Sequence, residues 1–152
     1  MTPQRKLLPY LTQQILLDHP DCSIILIGSV ARGEERPENS DLDLNVFFPS
    51  EPDPSVWISE ENRWQLQVKQ TIKGIRIDVA WETLDFLEHE MTTDGPFWII
   101  SCGEVIHDPG NRVARCLQMA RKWTEENVEL CNELEANFRA AKAKQLARRK
   151  RD

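Results

Sequence analysis

A chain of 152 residues with 40% hydrophobic and 29% charged residues is of a size to form one compact domain, burying about 70% of the surface its unfolded form exposes. Its formal net charge of −6 is unevenly placed: Arg139 to Asp152 holds seven Lys/Arg and one Asp, a net +6, which leaves −12 on residues 1–138. An acidic body excludes broad electrostatic wrapping of nucleic acid, which depends on Lys and Arg neutralising phosphates, and leaves open only contact through the basic end.

In chain order, Pro9 suits the first turn of a helix running to about Asp18, with Leu8, Leu11 and Ile15 on one face. Cys22 to Ile27, "CSIILI", is a continuous apolar run ending at Gly28, the pattern of a strand buried on both faces. "DLDLNVFF" alternates, placing Asp41, Asp43 and Asn45 on one face of a half-buried strand and Leu42, Leu44 and Val46 on the other. Pro49, Pro52 and Pro54 then break the chain into a loop reaching to about Arg63. A hairpin follows around Lys73-Gly74, with Leu66 and Val68 before the turn and Ile75, Ile77, Val79 and Trp81 after it, while Arg76, Asp78 and Ala80 take the opposite face. A short helix is expected from about Leu84 to Met91, then a turn at Asp94-Gly95-Pro96, an apolar piece from Phe97 to Ile100, and one more short strand in "GEVIHDPG".

From Asn111 onward no Pro or Gly interrupts the sequence, and apolar residues recur at three-and-four spacing, which predicts one long helix. Continuous to Lys150, it would extend roughly 60 Å and carry the basic end beyond a small sheet. That end is therefore expected to serve partner or nucleic-acid contact, and not the chemistry of the strands, or else to be a solvated helix terminus. Residues 1–110 and 111–152 are the two expected divisions of the chain, with no internal repeat and no linker. Cys22, Cys102, Cys116 and Cys131 form no C-x-x-C pair, so reduced cytoplasmic thiols are expected. No run approaches a membrane span and no apolar leader opens the chain, which predicts a soluble, unprocessed protein.

The glycine spacing in Gly28 to Gly33 invites comparison with a Walker phosphate loop, but Glu34 and Glu35 stand where that loop needs Lys and Ser/Thr. Two carboxylates there would repel a phosphate. The aspartates carry a different message. Asp41 alone, after Asn39-Ser40, reads as a turn former. Asp43 and Asp78 lie inside apolar strand patterns, where Asp is disfavoured and its desolvation has to be offset. Clustered like charges resist ionisation unless cations lie between them, and hard oxygen ligands without His or Cys point to Mg²⁺ or Mn²⁺. Trp64, Trp81 and Trp98 fall in apolar patterns and read as packing residues, Trp57 as a loop anchor, and His19, His89 and His107 as bystanders.

Together, Gly28-Ser29, Arg32-Gly33, Ser40-Asp41-Leu42-Asp43-Leu44 and Ile77-Asp78-Val79 resemble the core motif of the DNA polymerase β-like nucleotidyltransferases, in particular the minimal nucleotidyltransferases. The resemblance spans about Ile24 to Ala80. It implies an α+β fold with a small mixed β-sheet, covering helices and a long C-terminal helix. It further implies catalytic, metal-binding Asp41, Asp43 and Asp78 on two Mg²⁺ or Mn²⁺ ions, and Gly28, Ser29, Arg32 and Ser40 toward the nucleotide. For Arg32 an ion pair with Glu34 or Glu35 is the structural alternative.

The activity implied is transfer of a nucleoside monophosphate, AMP from ATP, to a hydroxyl. Acceptors in the family include a HEPN-type toxin modified by its antitoxin, and aminoglycoside or lincosamide antibiotics. A protein acceptor is favoured because the antibiotic-modifying relatives usually add a substantial second domain or a dimer partner. A non-catalytic interaction module is the contrasting reading; three clustered acids weigh against it.

Overall fold

The computed structural model describes residues 1–51, 68–92 and 98–151. In chain order the elements are α1 (Pro3–Asp18), β1 (Ser23–Ile27), α2 (Gly28–Ala31), β2 (Leu42–Phe48), β3 (Val68–Ile72), β4 (Ile75–Thr83), α3 (Leu84–Glu90), α4 (Trp98–Ser101), β5 (Glu104–His107), α5 (Arg112–Glu126) and α6 (Val128–Arg149). The strands form one mixed sheet in the order β3-β4-β2-β1-β5. β2 runs parallel to β4, and the other neighbours are antiparallel. The expected fold class, a small mixed sheet with covering helices, is the one observed.

The first helix begins earlier than Pro9. Thr2 caps it by accepting a hydrogen bond from Arg5 N at 3.3 Å, and Pro3 sits where a missing N–H costs nothing. Pro9 is thus inside α1, nearly two turns further on. Leu7, Leu8 and Leu11 are buried, and with Val30 of α2 they cover the face of the sheet formed by Ile24, Leu26, Leu42, Leu44, Val46, Ile77 and Val79. The 73–74 hairpin forms as expected, with both Lys73 (φ 51°) and Gly74 (φ 78°) in the left-handed region that a two-residue turn between right-twisted strands requires. Leu66, Trp57, Trp64 and the Asp94-Gly95-Pro96 turn lie outside the described residues. Trp81 packs on the apolar face, stacked against Phe48 at 5.6 Å and edge-on to His19 at 5.2 Å.

On the other face, α3 and α5 cover only one end of the sheet, where Ile25 and Phe47 pack against Leu84, Leu87, Val113, Cys116 and Leu117. Arg112 locks this arrangement, donating to Glu88 at 2.6 Å, Asp85 at 2.7 Å and the Pro49 carbonyl at 3.0 Å. The end carrying Asp43, Asn45, Asp78 and Ala80 is left to α6.

The single long helix expected after Asn111 is two. Asn127 leaves helical geometry (φ −129°, ψ 41°), and its side-chain amide donates to the Trp123 carbonyl at 2.8 Å. An Asn that bonds the preceding turn offers the backbone an alternative to the helix ladder, so no Pro or Gly is needed for the break. α6 consequently brings residues 138–148 over the uncovered end of the sheet. No described helix is long and apolar enough to cross a membrane, and all four cysteines are free.

Candidate active site

Alternation puts Asp43 and Asn45 on the same side of β2, and the parallel register then sets Asp43 directly opposite Asp78 and Asn45 opposite Ala80. On the other flank Asp43 faces Ile27, the last residue of β1. The chain turns there through Gly28 (φ +74°), and a Cβ on Gly28 would overlap the Asp43 Oδ2 atom and lie 3.3 Å from its Cγ. Glycine is required here twice over, by backbone sign and by the carboxylate pressed against it. Ser29 follows within the four-residue turn of α2, and Gly33 (φ +69°) ends that segment.

Asp43 is the electrostatic centre of the cluster. Burial raises its pKa to about 6, with further upward pressure from Asp41 and Asp78, while Lys142 and Arg76 pull the other way. One oxygen of Asp78, Oδ1, is buried with no hydrogen-bond partner among the described residues, an arrangement that costs free energy unless a ligand answers it. Asp41 precedes β2 and lies 3.8 Å from Arg76 Nε, while the same guanidinium reaches Asp78 Oδ2 at 3.7 Å through NH2. Arg76 therefore supplies the counter-charge to two of the three acids. As they stand, no three His, Cys, Asp or Glu side chains are grouped closely enough to hold a metal among the described residues.

The other expected site residues divide. Arg32 is paired with Glu34, Nε to Oε2 at 2.9 Å, which is the structural alternative. The Ser40 hydroxyl accepts from Arg36 N at 2.7 Å and so ties the loop that leads into β2. That loop is also held by Gln4, whose buried amide nitrogen donates to the carbonyls of Pro37 at 3.2 Å and Ser40 at 3.0 Å. Gln4, a polar residue in the buried stripe of α1, was a signal in the sequence that periodicity alone passes over.

Opposite the acids, α6 presents Phe138, Ala141, Lys142, Gln145 and Arg148 to a cleft of about 720 Å³ whose floor includes Asp43, Asn45, Asp78 and Ala80. The basic segment expected to lie remote from the strands is one wall of this cleft. Its distance along the chain conceals the approach, because the break at Asn127 redirects the helix.

The sequence pattern of the nucleotidyltransferase domain family matches residues 6–96 of the chain. The chain is similar in structure to a solved protein described as "Crystal structure of the toxin-antitoxin with AMP-PNP". The TM-score is 0.42 and the identity 14%, over 88% of this chain and 98% of that one. Comparison with curated proteins gave no match.

Proposed function

Given that the chain belongs to the nucleotidyltransferase domain family and has its polymerase β-like fold, we infer that it transfers AMP from ATP to a hydroxyl acceptor in the cleft between the sheet and α6, with pyrophosphate as the leaving group. The observation that carries this reading is the opposed pair Asp43 and Asp78 on parallel strands, with Gly28 closed against Asp43 at the end of β1. Two half-buried carboxylates side by side disfavour each other's ionisation. Asp43 and Asp78 would hold a hard divalent cation, Mg²⁺ or Mn²⁺, whose charge would offset theirs.

The donor set fits such an ion in kind: carboxylate oxygens only, one of them orphaned. Asp41, now 3.8 Å from Arg76 Nε, would be the third carboxylate to hold it. When bound, divalent cations supply neutralisation of phosphate charge and a more acidic acceptor hydroxyl. The chain's own residues do the remaining work. Gly28 and Ser29, at the turn beside Asp43, offer backbone N–H groups and a hydroxyl to the β- and γ-phosphates. Asp78 would also orient the acceptor hydroxyl and take its proton. Asp43 anchors the arrangement from between them. Arg32 and Ser40, both engaged within their own loop, reach the nucleotide only by giving up those partners.

The acceptor in this reading is a hydroxyl on a partner protein, as in antitoxins that adenylylate a HEPN-type toxin. An outer wall whose side chains from Phe138 to Arg148 are exposed leaves the cleft open to a macromolecular surface. A small-molecule acceptor such as an aminoglycoside is the competing one. The test is incubation with each α-labelled nucleoside triphosphate in turn, ATP first, with Mg²⁺ and cell lysate, beside Asp43→Asn. Label should appear on one acceptor with the wild type and vanish with the variant. Labelling that survives Asp43→Asn, or none from any of the four nucleotides, removes the reading.

A further inference from the structure

The cleft has two chemically opposite walls. Its floor carries Asp43 and Asp78, and its roof carries Lys142 and Arg148 from one face of α6, with Gln145 between them. Positions 138, 141, 142, 145 and 148 are spaced as a single helical stripe, and Lys142 to Arg148 spans about 9 Å along the axis. The other arginines near the site are committed: Arg32 to Glu34, Arg76 to Asp41 and Asp78, and Arg139 to Glu135 at 2.7 Å. Neither Lys142 nor Arg148 is within ion-pair distance of a carboxylate among the described residues. The helix thus brings two uncommitted cations to face two acids across open space.

A free anion entering that space is repelled by the floor, and a bare cation by the roof. A polyphosphate carrying a divalent cation satisfies both walls at once, its metal toward the acids and its phosphate oxygens toward the cations. We propose that Lys142 and Arg148 of α6 form a phosphate clamp, gripping the triphosphate of a metal-bound nucleotide from the side opposite Asp43 and Asp78. Gln145, between them, adds an amide donor to the same oxygens. This assignment rests on the nucleotidyltransferase reading and extends it to a helix outside the matched residues 6–96. It gives the basic segment a role in nucleotide binding.

The test uses the full chain and calorimetric titration with MgATP and, separately, with adenosine. Both side chains are exposed and Ala is the best helix former, so Lys142→Ala/Arg148→Ala should fold as the wild type does. Lys142→Gln/Arg148→Gln provides a second variant that keeps the stem length. Loss of two charge-assisted contacts should weaken MgATP about tenfold or more, and adenosine hardly at all. Lys144→Ala/Arg151→Ala, which removes the same charge away from the cleft, should leave MgATP affinity close to that of the wild type.

Unchanged MgATP affinity in both cleft variants overturns the clamp, as does an equal loss for adenosine. An equal loss in the Lys144/Arg151 variant also overturns it, because the effect would then be one of net charge. If the wild type itself fails to bind MgATP, the nucleotide reading fails and the clamp with it. Wild-type binding that Asp43→Asn abolishes, beside intact binding in the cleft variants, removes the clamp alone.

Discussion

Replacing Asp43 with Asn should abolish transfer and, in the absence of metal, stabilise the protein. The Asp43 pKa rises from 3.8 to about 6 in the folded chain, first through burial and then through Asp41 and Asp78. A raised folded pKa means that the native state holds its proton more tightly than the unfolded chain. The associated stability is fully present below the unfolded value and is lost as pH rises through about 6. At 1.36 kcal/mol per unit, about 3 kcal/mol is forfeited by pH ~7.5. Asn does not titrate and escapes that loss, although its amide hydrogens lack an assigned partner and cost roughly 1 kcal/mol. The net expectation is about 2 kcal/mol of stabilisation near pH 7.5, or a rise of roughly 4 to 8 °C in Tm, shrinking toward pH 4. Urea unfolding of wild type and variant in EDTA at several pH values between 4 and 8 measures it. A stability difference that stays flat across that range, or a variant less stable at the alkaline end, refutes the electrostatic account of this carboxylate.

Asp78→Asn should retain nucleotide affinity better than turnover, with transfer down about a hundredfold or more, because Asp78 is assigned to the acceptor; parallel loss of affinity, turnover and stability would make it a structural residue. Gly28→Ala meets both a positive φ and the Asp43 carboxylate, so a loss of about 1–2 kcal/mol in denaturant unfolding should accompany lost transfer. Arg112→Ala cuts three hydrogen bonds that join α5 to α3 and to the end of β2; it should cost ~1–3 kcal/mol of stability while leaving MgATP affinity unchanged at a temperature where the variant is folded.

The acid pair was legible because strand alternation is a strong constraint. Once Leu42, Leu44 and Val46 are taken as the buried face, Asp43 has only one direction to point, and Asp78 follows from Ile77 and Val79 in the same way. The 73–74 turn was legible from Gly74 and the alternation on either side. Four features were not. The start of α1 was obscured by Pro9, a residue that favours a helix's first turn but here stands inside the helix, where it removes a ladder hydrogen bond. The break at Asn127 leaves no mark in apolar spacing, since it arises from a side-chain amide bonding to the Trp123 carbonyl.

The place of α6 was hidden for a related reason. Phe138 and Leu146 remain about half exposed, so the helix has no deep apolar stripe to announce which surface it lies against. The pairing of Arg76 with two of the three acids depends on side-chain reach rather than on pattern. It therefore appears only in three dimensions.

The turn at Asn127 has a consequence for how variants of this protein should be read. Were residues 112–149 one straight rod, it would be roughly 57 Å long and the floor of acids would stand without a roof. A substitution at 127 that restores helical continuity, such as Asn127→Ala, would swing an entire wall of the cleft away from Asp43 and Asp78 while leaving both in place. In a genetic screen such a change would score as a substrate-affinity defect and be mistaken for a contact residue. The angle set at this position decides whether the cleft has one side or two.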